Sequence, residues 1–289
     1  MNPLILAPVL LAVVALVVGS LLPARVEAAA GVRVITAAVL LATGAAVVAG
    51  VHVVLAGLAM VPAVSDLLGW CGAVYAHHGA TPIAGALAAA VLLAMLARAA
   101  GSIRAARRDV AQVVAGPGLT VVDIDVPVAL AVPGGGVVVG ARLLEGLDDE
   151  GRAVVLAHER AHLDLHHHRY VRAVDACAAA LPFIRPLARR VRFLNECWAD
   201  AVAAEVVGSR EAVARAIARV ALMGPTGRDT RLLAFAQDGT LERVRILMEP
   251  PVRTSVGVRV TAIVLAGTVA GGAVVQFHHL TALAVGLWS

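Results

Sequence analysis

Long uncharged stretches alternate with charged segments along this chain of 289 residues. An α-helix needs roughly 20 apolar residues to cross the hydrocarbon core of a membrane. Uncharged runs of about this length predict four transmembrane helices, at about 4–23, 34–60, 79–97 and 260–277. The segment 171–187 is also apolar, but Arg172, Asp175 and Arg185 interrupt it. We therefore predict a helix of a soluble domain there, placed where it can touch the membrane surface.

The composition agrees with partial burial in lipid. Hydrophobic residues make up 60% of the chain and aromatic residues only 3%, which is more apolar than a soluble protein of this length usually is. The arginines that flank the predicted spans all lie on one side of them, and they are Arg25, Arg33, Arg98, Arg104, Arg107, Arg108, Arg253 and Arg259. The positive-inside rule then places both termini outside the cytoplasm. We expect a multi-pass protein of the plasma membrane, with its first span retained rather than cleaved as a signal peptide.

This topology divides the chain into three parts: three spans in 1–98, a cytoplasmic domain at 99–258, and a fourth span with a short extracytoplasmic tail at 259–289. The cytoplasmic part begins with strand-forming residues at 119–125, 128–132 and 137–139, and a Pro-Gly-Gly-Gly turn separates the last two. Asp148, Asp149 and Glu150 then precede an apolar run, as is typical of the first turn of a helix. The sequence predicts an integral membrane, mainly α-helical protein with a cytoplasmic α+β domain.

The motif HExxH lies on that predicted helix, as His158, Glu159 and His162. Two histidines four positions apart lie on one face of a helix, so that both can bind a single metal ion. Glu159 points beside such an ion and can act as the general base that takes a proton from the attacking water. The motif therefore predicts a zinc site with peptidase chemistry, and a catalytic zinc ion needs a third protein ligand.

A second predicted helix, around 192–200, supplies two further carboxylates. Glu196 is the expected third ligand, and Asp200 is expected to accept the free ring N–H of a ligand histidine. A solvated helix face is the alternative for both carboxylates. The three histidines that follow the motif are left out of the ligand set, because a polar helix end explains them; an auxiliary role at the metal is their alternative. They are His166, His167 and His168.

The remaining polar features are not assigned a function. The net charge of +4 comes without a basic stripe interleaved with aromatic residues, so direct nucleic-acid binding is not expected. Cys71, Cys177 and Cys197 form no CxxC pair and are expected to be inert thiols. His52 lies inside the second predicted span, where a packed neutral side chain and a functional role are both open.

Several segments together resemble the zinc metallopeptidase domain of BlaR/MecR-type membrane sensors and, more distantly, HtpX-type membrane proteases. The segments are AVPGGGVVVGARLL, LDDEGRAVVLAHERAH, NECWADAVAAE and GSREAVARAIARVA. The resemblance implies a zincin-type fold with one catalytic zinc ion. It makes His158, His162 and Glu196 the ligands, Glu159 the catalytic base and Asp200 the supporting partner. BlaR/MecR-type sensors continue into an extracellular penicillin-binding domain, which does not follow here, so β-lactam sensing is not expected.

The leading hypothesis is a membrane-bound zinc endopeptidase that cleaves a cytoplasmic protein. The resemblance to signalling sensors makes a DNA-binding repressor the first candidate substrate. The alternatives are an HtpX-like quality-control protease and a membrane di-iron oxidase. The strand formed by Val137, Val138 and Val139 is expected to pair with an extended substrate beside the zinc. Tyr170 and Arg192 are unranked candidates for stabilising the oxyanion.

Overall fold

The computed structural model describes residues 27–64, 80–111, 118–124, 127–223 and 230–249, and the single positions 13, 16, 17, 260, 263, 264 and 267. Side chains are described for all of these except 230–238. The first and fourth predicted spans, at 4–23 and 260–277, lie outside the described residues apart from the single positions. The second and third predicted spans can be compared with the structure.

Two long apolar helices occupy the positions of the second and third predicted spans. They are α1 (Ala28–Ala59, 32 residues) and α2 (Pro82–Ala111, 30 residues), and both are long and apolar enough to cross a membrane. The side chains of Ile83, Leu93 and Leu96 on α2 are 73%, 67% and 66% exposed. Such a row of uncovered apolar side chains is unusual on the surface of a soluble domain and is compatible with contact with lipid.

The two apolar helices approach each other closely at a pair of glycines. A Cβ atom added to Gly57 would lie 2.7 Å from the Cα atom of Gly85, and one added to Gly50 would lie 2.9 Å from Leu92 Cδ2. Small residues at helix crossings allow this backbone contact, which is a common way for transmembrane helices to pack. Glycine at 57 and 85 is therefore needed for the observed packing of α1 against α2.

The first part of α1 is covered by other helices of the protein. Val32, Ile35 and Val39 are all 0% exposed and pack in one core with Val174 and Trp198. A helix of 32 residues is about 48 Å long at 1.5 Å per residue, well beyond a hydrocarbon core of about 30 Å. The predicted span at 34–60 therefore starts inside the protein core, because hydropathy does not distinguish burial in protein from burial in lipid.

Three short strands form a small sheet beside the motif helix. They are β1 (Leu119–Val122), β2 (Ala129–Ala131) and β3 (Val137–Gly140), arranged in the order β1-β3-β2. β3 pairs in parallel with β1 and antiparallel with β2. The hairpin predicted across the Pro-Gly-Gly-Gly turn is confirmed, and Gly134 adopts φ 81° there, a conformation that favours glycine. Since β3 is the central strand, all four of its residues are buried.

The rest of the described chain after β3 is helical. Its helices are α3 (Ala141–Glu145), α4 (Asp149–Asp164), α5 (His167–Ala180), α6 (Arg185–Val207), α7 (Arg210–Met223) and α8 (Thr230–Met248), with a 3-10 turn at Pro182–Ile184. The acidic start predicted for the motif helix α4 is confirmed, because the Asp148 side chain accepts a hydrogen bond of 2.9 Å from the Gly151 N–H. The predicted helix over 171–187 corresponds to α5, the 3-10 turn and the start of α6, and α5 packs against α2.

The two helices that carry the predicted metal ligands lie side by side. α4 contacts α6 through a core in which Val154 and Ala157 pack with Ala203 and Ala204. The small alanine side chains allow the two helix axes to approach closely. This packing brings the inner faces of α4 and α6 together beside the end of β2.

Candidate metal centre

His158 and His162 from α4 converge with Glu196 from α6. The two Nε2 atoms are 3.1 Å apart, and the Glu196 carboxylate oxygens lie 3.5 Å from His158 Nε2 and 3.6 Å from His162 Nε2. The three residues form a group whose ligand atoms all lie within 4.8 Å of one another. The structure thus brings together the three side chains that the sequence selects as ligands.

The spacing of these three side chains is compatible with one zinc ion. Ligand atoms about 2.0–2.1 Å from a tetrahedral zinc ion are separated from each other by roughly 3.3 Å. The two Nε2 atoms are 3.1 Å apart, and each lies close to one Glu196 oxygen, His158 Nε2 at 3.5 Å from Oε2 and His162 Nε2 at 3.6 Å from Oε1, so the separations are close to that value. Two imidazoles and one carboxylate are also a donor set that occurs at catalytic zinc sites with an open fourth position. The residues present therefore fit a zinc ion.

Asp200 contacts the ring nitrogen of His158 that does not face the other two candidate ligands. Its Oδ1 atom lies 2.9 Å from His158 Nδ1, and its side chain is 1% exposed. A hydrogen bond from Nδ1–H to this carboxylate leaves Nε2 free as the ligand atom and fixes the ring orientation. Asp200 sits one helical turn after Glu196 on α6, so both carboxylates reach the same side of the α4 histidines.

Arg243 on α8 binds both carboxylates. Its Nε and Nη2 atoms donate to the two Asp200 oxygens, each at 2.7 Å, and its Nη1 atom lies 3.2 Å from Glu196 Oε2. This fork holds the buried Asp200 charge and reaches the ligand Glu196 at the same time. Arg243 is not predicted from the sequence, because it lies in no motif and 43 positions after Asp200. The available signal was the carboxylate predicted at Asp200 beside a ligand histidine, since such a charge needs a cation once it is buried.

The pKa values of the ligand side chains follow from these contacts. Burial lowers the pKa of both histidines, but the carboxylates of Asp200 and Glu196 outweigh it for His158 and raise that pKa to about 10. For His162 burial prevails and lowers the pKa to about 4. Burial raises the pKa of Glu196, yet His158 and Arg243 together lower it to about 2. A metal ion needs both imidazoles neutral, so binding here releases a proton from His158.

Glu159 lies next to the ligands and faces the same cleft. Burial raises the pKa of its carboxyl group, and the backbone of Ala131 on β2 opposes this shift through a hydrogen bond. Glu159 follows a ligand directly in sequence and does not belong to the ligand group. A carboxylate in this position is held near the metal site without being a ligand, and its raised pKa suits a group that accepts and then returns a proton.

His167 is one of the three histidines that the sequence leaves out of the ligand set. It is 1% exposed, and its Nδ1 atom is 2.9 Å from Nδ1 of the ligand His162. Burial, followed by the charge of His162, lowers the pKa of His167 to about 4. His166 is exposed and its ring nitrogen contacts the Leu163 carbonyl. The polar helix end therefore describes His166, whereas His167 lies against the metal site.

The site opens into a cleft of about 430 Å³ between β2 and the ligand helices. Ala129, Leu130 and Ala131 line one wall, and Glu159 and Glu196 line the other. The strand expected to bind substrate, formed by Val137, Val138 and Val139, is instead the central strand β3, with both edges paired. Within the described residues, the strand that borders the cleft and has an unpaired edge is β2.

The two candidates for stabilising the oxyanion lie in different surroundings. Arg192 lines the cleft, and its Nη2 atom is 2.6 Å from the Asp175 carboxylate. Tyr170 packs near the Trp198 ring, with centroids 6.3 Å apart. Of the two candidates, Arg192 is therefore the one that lines the cleft.

Comparison with protein families gives a match for part of the chain. The model of Peptidase family M48 matches residues 95–183, a segment that contains the HExxH motif and ends before Glu196. No curated protein and no solved structure matches the chain. The chain is thus similar to M48 peptidases over this segment, and the similarity supports a metallopeptidase.

Proposed function

We propose that this chain is a membrane-bound, zinc-dependent endopeptidase that hydrolyses peptide bonds of a cytoplasmic protein. The observation that carries the proposal is the convergence of His158, His162 and Glu196 at separations that fit one zinc ion, with Glu159 beside them. The match to Peptidase family M48, whose members depend on zinc, supports the same reaction.

The roles of the residues follow from their positions. His158, His162 and Glu196 would hold the ion. A zinc ion bound there supplies Lewis acidity, which polarises the scissile carbonyl and makes water a stronger nucleophile at neutral pH. Glu159 accepts the proton of the attacking water on its carboxylate and donates it to the leaving amine nitrogen, so the products are a carboxylic acid and an amine. Asp200 and Arg243 hold the ligands in place.

The arrangement of the apolar helices supports a cytoplasmic position for the site. The Arg33 guanidinium on the first part of α1 lies over the Trp198 ring on α6, 5.2 Å from its centroid. α2 also contacts α5, and Arg98, Arg104, Arg107 and Arg108 lie in its second half. The soluble domain therefore lies on the arginine-rich side of both helices. The positive-inside rule makes that side the cytoplasm.

The two alternative functions differ in which residues of this site they would need. An HtpX-like quality-control protease would use the same ligands and base, and differs only in its substrates. A membrane di-iron oxidase would need ligands for a second ion. Among the described residues, His158, His162 and Glu196 form the one group of three that could hold a metal ion. The endopeptidase therefore remains the better-supported function.

We further propose that an extended substrate pairs with the free edge of β2. Leu130 faces Val138 in the hairpin, while the Gly140 N–H donates to the Val128 carbonyl. In this antiparallel register the backbone groups of residues 129 and 131 point away from β3. The Ala131 backbone already binds Glu159, which leaves residue 129 as a position where the strand can donate to a peptide.

Replacing Ala129 by Pro is expected to reduce kcat/KM for peptide cleavage by roughly 2- to 12-fold, the equivalent of one backbone hydrogen bond of about 0.5–1.5 kcal/mol. Proline removes the outward N–H but is tolerated on an edge strand. Ala129→Ser, which keeps the N–H, serves as the matched control and should cleave like the wild type. Zinc content should be unchanged in both variants. Equal cleavage by Ala129→Pro and the wild type would contradict pairing at this position.

The substrate class can be tested in cells. New protein termini that occur in cells with the wild-type chain, and not in cells with Glu159→Gln, should map to extended cytoplasmic segments, with a DNA-binding repressor as the first candidate. Mass spectrometry of enriched termini measures this. The cytoplasmic assignment would be wrong if every Glu159-dependent terminus mapped to extracytoplasmic or wholly intramembrane segments.

A further inference from the structure

We propose that His167 is a positioning residue for the metal site: its Nδ1 atom accepts a hydrogen bond from Nδ1–H of His162 and so holds that ligand. The inference rests on the proposed zinc site. It gives the second ligand histidine a supporting partner, as Asp200 supports the first.

The contacts of the two ring nitrogens of His162 show which nitrogen is the ligand atom and which one carries the proton. The Nε2 atom of His162 faces His158 and Glu196, at 3.1 and 3.6 Å, and is its ligand atom. Its Nδ1 atom must then carry the proton, since a neutral imidazole has one N–H. That N–H points to His167 Nδ1 at 2.9 Å. His167 therefore accepts through Nδ1, which fixes the tautomer and the ring plane of the ligand.

The chain makes a local break that places His167 there. In a continuous helix a residue five positions after His162 would point about 140° away from it. His166 adopts φ 54°, which ends α4 and starts α5 in a new direction. Among the residues that the structure describes, His166 is the non-glycine residue whose φ angle is positive. A strained conformation immediately before His167 is consistent with a requirement to turn this side chain back toward the site.

His167 is held on its other side by aromatic packing. The centroid of its ring lies 4.9 Å from that of Trp198, and the Arg33 guanidinium lies 5.2 Å from the centroid of the same Trp198 ring. The ring is thus clamped between the ligand His162 and a buried tryptophan. A ring fixed in this way can hold His162 in one orientation.

The second nitrogen of His167 argues against a purely structural role. Within the part of the chain that the structure describes, its buried Nε2 atom has no hydrogen-bond partner. A buried polar atom without a partner is destabilising. An apolar side chain of similar size would fill the same space without this cost. The presence of a histidine at this position is explained by its other nitrogen, Nδ1, which faces His162.

Two substitutions at this position separate the hydrogen bond from the packing. His167→Phe keeps a ring against Trp198 but has no acceptor, whereas His167→Asn keeps an acceptor near the place of Nδ1 and loses the ring. His166→Asn is the matched control, because that histidine is exposed and asparagine tolerates its positive φ. All variants are prepared as the full chain in detergent micelles. Zinc affinity is measured by competition with a chelator, and thermal unfolding checks the fold.

We expect His167→Phe to bind zinc 10- to 100-fold more weakly than the wild type. His167→Asn should stay within a few-fold, and His166→Asn should be unchanged. With Co²⁺ as a second probe, the visible absorption bands of His167→Phe should shift because His162 is no longer fixed, while those of His167→Asn should stay close to wild type.

The outcomes distinguish this inference from the proposed function. Wild-type zinc affinity and Co²⁺ spectra in His167→Phe would overturn the inference and leave the peptidase assignment intact. Equal weakening by Phe and Asn would overturn it as well, because an acceptor kept at this position would then not preserve zinc binding. A wild-type chain that fails to retain zinc would instead refute the proposed function.

Discussion

Replacing Glu159 by Gln is expected to lower the rate of peptide cleavage by about 10²- to 10⁴-fold, the usual contribution of a general base. Glutamine keeps the size of the side chain and its contact with the Ala131 backbone, but it does not accept a proton from water. Zinc content should stay at the wild-type level, because Glu159 lies outside the ligand group formed by His158, His162 and Glu196.

The measurement pairs a cleavage assay with metal analysis of the same preparations. Glu150→Gln is the matched control: it makes the same chemical change on the same helix, at a side chain that is 50% exposed and paired with Arg215. It should cleave like the wild type. The assignment of the base fails if Glu159→Gln cleaves at the wild-type rate, or if it loses its zinc.

Glu196→Ala is expected to weaken zinc binding by more than the roughly 100-fold that marks the loss of a residue which only supports a ligand. The substitution removes one of three protein ligands, and two imidazoles on one helix remain. The fold should survive, because Arg243 keeps its two bonds of 2.7 Å to Asp200. Proteolysis should disappear at zinc concentrations that saturate the wild type.

Glu205→Ala provides the control for this second change, since Glu205 is an exposed carboxylate on the same helix α6. Chelator competition, followed on both variants and the wild type, gives the affinities. Glu205→Ala should match the wild type. If Glu196→Ala retained zinc as tightly as Glu205→Ala, the third ligand would have to be another residue.

Local sequence patterns predicted much of the soluble domain. The hairpin followed from two β-branched runs around a Pro-Gly-Gly-Gly turn, and the start of α4 followed from Asp148 and the two acidic residues after it. These features depend on short-range interactions, which are visible in sequence. Strand order is not local, so β3 was taken for an accessible strand although it is central. Its uninterrupted run of valines was the available signal, because buried strands lack alternation.

For the apolar helices, the sequence predicts that the helices form but not whether protein or lipid covers them. Hydropathy identified α1 and α2, but it placed the start of a span at residue 34, where the structure has Val32, Ile35 and Val39 inside the protein core. Their side chains are equally apolar in either environment. Only the position of α5 and α6 against α1 shows which part of the helix is covered by protein.

For the site, the spacing of the HExxH motif on a helix is sufficient to predict His158 and His162 as ligands. Two carboxylates four positions apart on a second helix indicate Glu196 and Asp200. The structure brings all four together. Arg243 and His167 were not assigned, because one comes from a distant helix and the other depends on a break in the helix at His166. Residues that support ligands through tertiary contacts leave little trace in a single sequence.

The central claim is that His158, His162 and Glu196 hold one zinc ion. Zinc K-edge X-ray absorption of the purified full chain tests it most directly. We predict about one zinc ion per chain, with two imidazole nitrogens at about 2.0–2.1 Å, further oxygen ligands and no sulfur in the first shell. A chain that retains no zinc, or a spectrum that shows thiolate sulfur or lacks the imidazole signature, would contradict the claim.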